Sequence, residues 1–145
     1  LSYLVWLGRL PEMTLRSIVS RLRFKSDLKK LLIATSKLNR ALPKLKGASP
    51  SDFVNELEKA PIAAVYAAYL VNPDEELRNA ILQYVRNWSA VEPHTTGDDL
   101  RKMGLPPSPA YGRILETLRD AWLDGEITSL AEERALLQSL VAELE

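Results

Sequence analysis

The spacing of apolar residues constrains the fold of this chain more than any other feature. Over residues 11–24, apolar side chains recur every three or four positions, at Leu15, Ile18, Val19 and Leu22. This is the period of a helix that buries one face. The next segment keeps the period, at Leu28, Leu31, Leu32, Thr35, Leu38 and Leu42. Strand-like alternation is nearly absent. The sequence therefore predicts an all-α fold, a compact array of about eight to nine short helices in one or two lobes.

Prolines, glycines and capping residues divide this pattern into helices. Ser49-Pro50 pairs a capping side chain with a proline suited to the first helical turn, and Asn72-Pro73 repeats that signal for a helix reaching about Val91. The segment Ile62 to Val71 is apolar nearly all round, so we expect it to be buried on all sides. A break near residues 92–96 predicts the boundary between a body of residues 1–92 and a tail of residues 93–145.

Later helix ends are equally marked. Thr96 followed by Asp99 resembles a capping box, and Thr128 or Ser129 is placed to cap the last helix. Gly104 and Gly125 are placed to end helices. Leu136, Leu137, Leu140, Val141 and Leu144 are expected to face inward from the last helix.

The zero net charge conceals an uneven distribution. Residues 1–47 hold eleven basic and two acidic residues, a net charge of +9, and residues 48–145 balance it with −9. A cationic segment of this kind indicates a polyanionic partner, or a basic lobe that docks on the acidic one. The candidate RNA-binding residues are Arg16, Arg23, Lys25, Lys29, Lys30, Lys37, Arg40, Lys44 and Lys46. Because Phe24 is the lone aromatic residue among them, the pattern favours contact with duplex phosphates over base stacking.

No catalytic or metal-binding constellation is visible in the sequence. The chain has no cysteine and one histidine, His94, which is too few for a zinc site. Nucleophile-elbow, phosphate-loop and dinucleotide-binding glycine patterns are absent. The acidic pairs Asp98-Asp99, Glu75-Glu76 and Glu132-Glu133 are explained by the preference of helix first turns for negative charge. No apolar run approaches the roughly 20 residues of a membrane span.

A proline-rich loop from Gly104 to Gly112 offers a second candidate site. Its flanking cations are Arg101, Lys102 and Arg113, and the helix that follows could present free amides to a phosphate. Gly112 in a helical first turn costs about 1 kcal/mol relative to alanine, which suggests close approach of another backbone or tight helix packing.

The tail resembles that of bacterial CCA-adding enzymes and related poly(A) polymerases. The similarity rests on Thr96-Gly97-Asp98-Asp99-Leu100, on the proline loop with Tyr111-Gly112-x-Ile114-Leu115, and on Ala121-x-Leu123-Asp124-Gly125-Glu126-Ile127. Ser108 departs from the family pattern, where many members have glycine. Upstream, Ser49-Pro50-Ser51-Asp52 and the segment after Pro61 resemble the body region of longer members.

This resemblance implies a division of labour. The family's active site lies in an N-terminal head, with a Gly-Ser motif, paired aspartates, two Mg²⁺ ions and CTP or ATP. The present chain would then be inactive by itself and hold no cofactor. The implied partners are tRNA or another structured RNA, gripped by body and tail, and the protein's own N-terminal catalytic domains. The implied location is the cytoplasm.

Two other functions stay open at this point. One is a helical protein–protein interaction or oligomerisation module, and the other is a regulatory or hydrolytic helical domain. The chain begins at Leu1 within an apolar segment, which suggests that it is part of a longer protein.

Overall fold

The computed structural model describes Leu7 and residues 10–21 and 26–143, with the backbone alone for residues 12, 16 and 19–21. These residues form eight α-helices and no strand, which confirms the predicted all-α fold. The helices are α1 (Glu12–Arg21), α2 (Ser26–Ala41), α3 (Pro50–Leu57), α4 (Ile62–Val71), α5 (Glu75–Arg86), α6 (Gly97–Lys102), α7 (Ala110–Asp124) and α8 (Leu130–Ala142). Two 3₁₀ helices, Leu42–Leu45 and Trp88–Ala90, follow α2 and α5. Within this part of the chain, no helix is long and apolar enough to cross a membrane.

The chain divides into two units, the first ending at Arg86 and the second beginning at Asn87. The body and tail predicted from the sequence meet a few residues later, between residues 92 and 93, in the loop after the second 3₁₀ helix.

Helix α2 is the centre of the first unit, in contact with both α1 and α4. Its predicted inward face is confirmed at Leu32, Thr35 and Leu38, which are buried. Ser36 is buried as well, and its hydroxyl donates a hydrogen bond of 2.7 Å to the carbonyl oxygen of Leu10. Pro43 ends the α-helix as expected, but the chain continues as a 3₁₀ turn that buries Leu42. This turn carries basic residues onward from the last turn of α2.

Helix α4 is not buried on all sides, contrary to the prediction from its composition. Ala64, Val65, Ala68 and Val71 are buried, whereas Ile62, Tyr66 and Leu70 are 64%, 64% and 48% exposed. The exposed residues are spaced four apart and form one stripe along the helix. An apolar composition therefore did not determine which faces of the helix are covered.

Helix α5 begins and ends differently from its prediction. Asp74, not Asn72, caps it: Oδ1 of Asp74 accepts hydrogen bonds from the backbone N–H groups of Glu76 and Leu77. The α-helix ends at Arg86, well before Val91, and the chain continues as a 3₁₀ turn. Val85, which was expected to face inward, is 51% exposed.

The second unit follows its predicted caps closely. Thr96 with Asp99 and Ser129 with Glu132 both form complete capping boxes at the starts of α6 and α8. Gly104 and Gly125 adopt left-handed conformations, with φ of 85° and 72°, after α6 and α7. Leu100, Ile114, Leu118 and Leu137 form the buried core. Leu144 lies outside the described residues.

The proline-rich loop is held by a single aromatic side chain. The Tyr111 hydroxyl donates a hydrogen bond of 2.6 Å to the carbonyl oxygen of Leu105, which ties the loop to the first turn of α7. Gly112 lies in that turn and is exposed, and a Cβ atom placed on it would meet nothing within 4 Å. Packing within the chain therefore does not explain the glycine.

Candidate nucleic-acid interface

In the first unit, every predicted RNA-binding residue whose side chain the structure describes is exposed. They are Lys29, Lys30, Lys37 and Arg40 on α2, Lys44 in the 3₁₀ turn, and Lys46 after it. Arg23 and Lys25 lie outside the described residues, and only the backbone of Arg16 is described. None of the exposed set is buried against acidic helices.

Three of these cations converge on one groove. Lys37, Arg40 and Lys44 line a groove with a volume of about 380 Å³. Residues 37 and 40 are one turn apart on α2, so their side chains lie on the same face. The 3₁₀ turn keeps Lys44 beside them. Among the described residues, none of the three forms an ion pair. We call these three residues the basic groove.

The acidic residue beside the basic groove is already neutralised. Glu56 also lines it, but the Lys59 ammonium lies 2.7 Å from the Glu56 Oε2 atom. The groove therefore presents unpaired positive charge to solvent, which is what binding to a phosphate requires.

Lys30 extends this positive face along α2. It lies seven residues before Lys37, two turns away on the same side of the helix. At a rise of 1.5 Å per residue, the distance along the axis from Lys30 to Arg40 is about 15 Å. Ile33 lies between Lys30 and Lys37 and is half-buried.

Lys46 is the predicted RNA-binding residue that is already paired with two carboxylates. Its ammonium lies 3.0 Å from Asp74 Oδ2 and 3.1 Å from Glu76 Oε2. The hydrogen bonds that the Lys46 ammonium donates to these two carboxylates raise the pKa of Lys46, and the bond to Asp74 lowers the pKa of the Asp74 carboxyl group. Lys46 thus connects the loop after α2 to the start of α5, and its charge is already balanced within the chain.

Two of the three secondary candidates in the second unit already have acidic partners. Arg101 pairs with Asp98, and the Lys102 ammonium lies 3.4 Å from Asp99 Oδ1. Arg113 is exposed on α7. The two members of each pair are three positions apart on α6, so the charges of Arg101 and Lys102 are balanced locally.

Glu133 is the functional group that sequence reasoning missed. Its side chain is buried, 2% exposed, although the sequence explained it only as a negative charge in a helix first turn. Oε1 accepts hydrogen bonds from the backbone N–H and the hydroxyl of Thr95, at 2.7 and 2.6 Å. Oε2 accepts from the His94 backbone N–H at 3.0 Å and from Trp122 Nε1 at 2.6 Å. One carboxylate thereby joins the 93–96 loop, α7 and α8.

The electrostatics of Glu133 follow from these four donors. Burial by itself would raise the pKa of the carboxyl group, but the hydrogen bonds from Thr95, Trp122 and the His94 backbone outweigh burial. The pKa of Glu133 is therefore lower than usual, and the group is charged at neutral pH. A sequence signal did exist, because Glu133 lies four residues before Leu137 and so shares its inward face.

No metal centre is formed by the residues that the structure describes. No group of three or more histidine, cysteine, aspartate or glutamate side chains in that part of the chain is arranged to hold an ion. The His94 ring packs edge-on against Trp122, with centroids 5.6 Å apart.

The chain is similar in part to a known enzyme. Over 59 residues it is 36% identical to the A-adding tRNA nucleotidyltransferase of Geobacter sulfurreducens. The matched segment is 41% of this chain but 7% of that relative, so the chain covers a small fraction of the relative's length. No family model matches the chain, and no solved structure gives a significant match. The similarity indicates a relation to the tRNA nucleotidyltransferases over that segment.

Proposed function

We propose that this chain is a non-catalytic RNA-binding region of a CCA-adding or poly(A)-adding nucleotidyltransferase. In this proposal it holds tRNA or another structured RNA so that the 3′ end reaches a catalytic head domain elsewhere in the parent protein. Mg²⁺ and CTP or ATP would bind in that head, and the protein would act in the cytoplasm. The bacterial relative is a tRNA nucleotidyltransferase, which supports RNA as the class of ligand.

The basic groove is the observation that carries the proposal. Lys37, Arg40 and Lys44 are exposed, share one groove, and have no ion-pair partner among the described residues. Salt-bridge chemistry inside the chain therefore does not account for them. Unpaired cations on a helix are suited to bind the phosphates of an RNA duplex. The affinity of such binding depends on charge and shape more than on base identity.

Salt-dependent binding of tRNA tests this function. We compare the full chain with the double variant Lys37→Ala/Arg40→Ala in electrophoretic titrations with tRNA at several salt concentrations. Each lost phosphate contact reduces the magnitude of the slope of log affinity against log salt by about 0.7–0.9, so we expect two lost contacts to reduce it by about 1.4–1.8. The affinity at low salt should fall about 10-fold or more.

The double variant Arg78→Ala/Arg86→Ala is the matched control. It removes the same charge from exposed positions of α5, outside the basic groove. Its salt slope should stay close to that of the unmodified chain. Equal losses in both variants would show a diffuse charge effect and reject the groove, and unchanged binding in the first variant would reject the proposed function.

A second candidate, a helical protein–protein interaction or oligomerisation module, is favoured by the exposed stripe on α4. Ile62, Tyr66 and Leu70 present apolar surface without a charged residue anywhere on that helix. Self-association through this stripe would make the apparent mass in light scattering rise with protein concentration and fall in the variant Ile62→Lys/Tyr66→Lys. A constant monomer mass would remove this candidate.

A further inference from the structure

A cleft in the second unit combines apolar and cationic residues that the proposed function does not use. It lies between the loop at residues 94–95, the end of α6 and the exposed side of α8, and its volume is about 480 Å³. This volume is within the range of ordinary ligand pockets. The residues used below are Lys102, Met103, Leu130, Arg134, Leu137 and Gln138.

The exposed apolar surface of the second unit is concentrated in this cleft. Among the described residues of that unit, the large apolar side chains that are exposed are Met103, at 47%, and Leu130, at 48%. Both line the cleft, together with the buried Leu137. Convergence of apolar side chains on one concave surface is typical of a binding site, and a methionine wall adapts readily to different ligands.

The shape of this apolar surface favours an aliphatic ligand group. The apolar lining residues, Met103, Leu130 and Leu137, carry no aromatic ring, and the ring of His94 already packs edge-on against Trp122. A nucleobase would need a broad aromatic face to stack on, and the cleft does not supply one. An aliphatic side chain of a polypeptide would fit against Met103, Leu130 and Leu137.

The charges around the cleft favour a carboxylate. Of the two acidic residues that line it, Glu133 accepts four hydrogen bonds, and Asp99 is held by Thr96 and Lys102. Arg134 is exposed and has no ion-pair partner among the described residues. Arg134 is therefore the lining cation whose guanidinium donors are not used in an ion pair among the described residues, and it lies beside the apolar surface together with the Gln138 amide.

The ligand should carry little charge overall. Residues 87–145 hold five basic and eleven acidic residues, a net charge of −6, which repels any polyanion at longer range. A single carboxylate close to Arg134 gains local attraction, whereas a run of phosphates would meet the surrounding acidic residues.

We infer that this cleft binds a short polypeptide segment that presents an aliphatic side chain next to one carboxylate. The aliphatic group lies against Met103, Leu130 and Leu137, the carboxylate pairs with Arg134, and Gln138 hydrogen-bonds the segment's backbone. The inference does not depend on RNA binding by the first unit, so the two can fail separately.

Amide chemical shifts of the isotope-labelled full chain test this site. The probes are the blocked pentapeptide Gly-Leu-Glu-Leu-Gly, a version with lysine in place of glutamate, and a version with serine in place of both leucines. The first peptide should shift the resonances of residues around Met103, Leu130 and Arg134 with saturation at millimolar concentration, as expected for a short linear ligand. The lysine and serine peptides should bind at least several-fold more weakly.

Two charge-reversal variants make the result specific. Arg134→Glu should raise the dissociation constant of the first peptide about 10-fold, whereas Arg113→Glu, an equal change on the exposed surface of α7, should leave it unchanged. Equal binding of the glutamate and lysine peptides, or shifts away from the cleft, would overturn the inference. An eight-nucleotide oligoadenylate that shifts the same resonances in an Arg134-dependent manner would also overturn it, in favour of a nucleic acid.

Discussion

At the scale of single residues, Glu133 determines more of the second unit than any one apolar side chain. Its carboxylate accepts hydrogen bonds from two backbone N–H groups, a threonine hydroxyl and an indole, which belong to the loop at residues 94–95 and to α7. A buried acceptor with every position filled rigidifies its surroundings, and one that loses a partner becomes costly. The loop that contains His94 and Thr95 is thus fixed by a side chain 38 positions away.

Replacing this carboxylate tests its role in stability. In Glu133→Gln, the amide nitrogen must face a donor such as Trp122 Nε1, so two donors meet. We expect the free energy of unfolding to fall by about 2–3 kcal/mol. Urea denaturation followed by tryptophan fluorescence measures this. The exposed Glu126→Gln is the matched control and should change the free energy by less than about 0.5 kcal/mol.

The same variant should alter the response to acid. Because the pKa of Glu133 is lower in the folded state, its contribution is fully present above the unfolded-state pKa. That contribution is lost as the pH falls from there through the folded pKa. Between about pH 4.5 and pH 3, stability should therefore decline less steeply in Glu133→Gln than in the unmodified chain. Parallel pH profiles for the two proteins would show that the carboxylate is not charged in the fold.

Alanine substitutions at Gly112 and Gly104 should have opposite effects on stability, because the two backbone conformations differ. Gly112 is helical, and an added Cβ atom meets nothing within 4 Å, so Gly112→Ala should stabilise the chain by about 0.5–1 kcal/mol. Gly104 has a φ of 85°, and Gly104→Ala should destabilise it by about 1–2 kcal/mol. Thermal melts of both variants measure the two shifts. A destabilising effect of Gly112→Ala would show that the first turn of α7 is not an ordinary helical turn.

At the scale of elements, local chemistry predicted helix ends better than helix environment. The capping boxes at Thr96 and Ser129 and the left-handed glycines at positions 104 and 125 depend on neighbours within a few residues. The sequence predicted the Thr96 capping box and both glycines, and it left Thr128 and Ser129 as alternatives for the cap of the last helix. The sequence did not predict which faces of α4 are buried, because burial depends on which elements pack nearby. The apolar composition of Ile62–Val71 contains no information about those neighbours.

The candidate site shows the same division. Lys37 and Arg40 could be placed on one face from their spacing on α2 alone. The neutralisation of Lys46 could not be predicted from the sequence, since its partner Asp74 lies 28 residues further along the chain. Glu133 was misassigned because its neighbour Glu132 does act as the capping residue, while the helical rotation between them turns Glu133 inward.

Substitutions on opposite faces of α4 should separate exposed from buried positions. Ile62→Lys/Tyr66→Lys alters side chains that are both 64% exposed, so the free energy of unfolding should change by less than about 1 kcal/mol. Val65→Ala opens a cavity at a fully buried position and should cost about 1–3 kcal/mol. Denaturant titration of the two variants compares these costs. A larger loss in the lysine variant would mean that the stripe is covered within the chain.

At the scale of the whole molecule, the division into two units coincides with a division of charge. Residues 1–86 carry a net charge of +6 and residues 87–145 carry −6. The unpaired cations of the basic groove belong to the first unit, and the Glu133 hydrogen bonds and the peptide cleft belong to the second. Each unit therefore has its own electrostatic character and its own candidate site.

The second unit should fold when it is separated from the first. A chain of residues 87–145 retains the core of Leu100, Ile114, Leu118 and Leu137, both capping boxes and all donors to Glu133. At this size stability is marginal, so we expect a cooperative thermal transition but only about 2–4 kcal/mol of stability. Circular dichroism and dispersion of amide resonances measure this. A featureless melt would show that the unit needs the rest of the chain.

In the proposed function, the pairing of Lys46 with Asp74 and Glu76 would limit the lifetime of the complex with RNA. That pairing makes one cation unavailable for contact with a phosphate. The few cations that remain lie along about one and a half nanometres of helix. Few phosphate contacts mean modest electrostatic affinity and short occupancy at physiological ionic strength. An RNA held this way would be exchanged readily between successive rounds of processing, so lasting retention would require contacts contributed by other parts of the assembly.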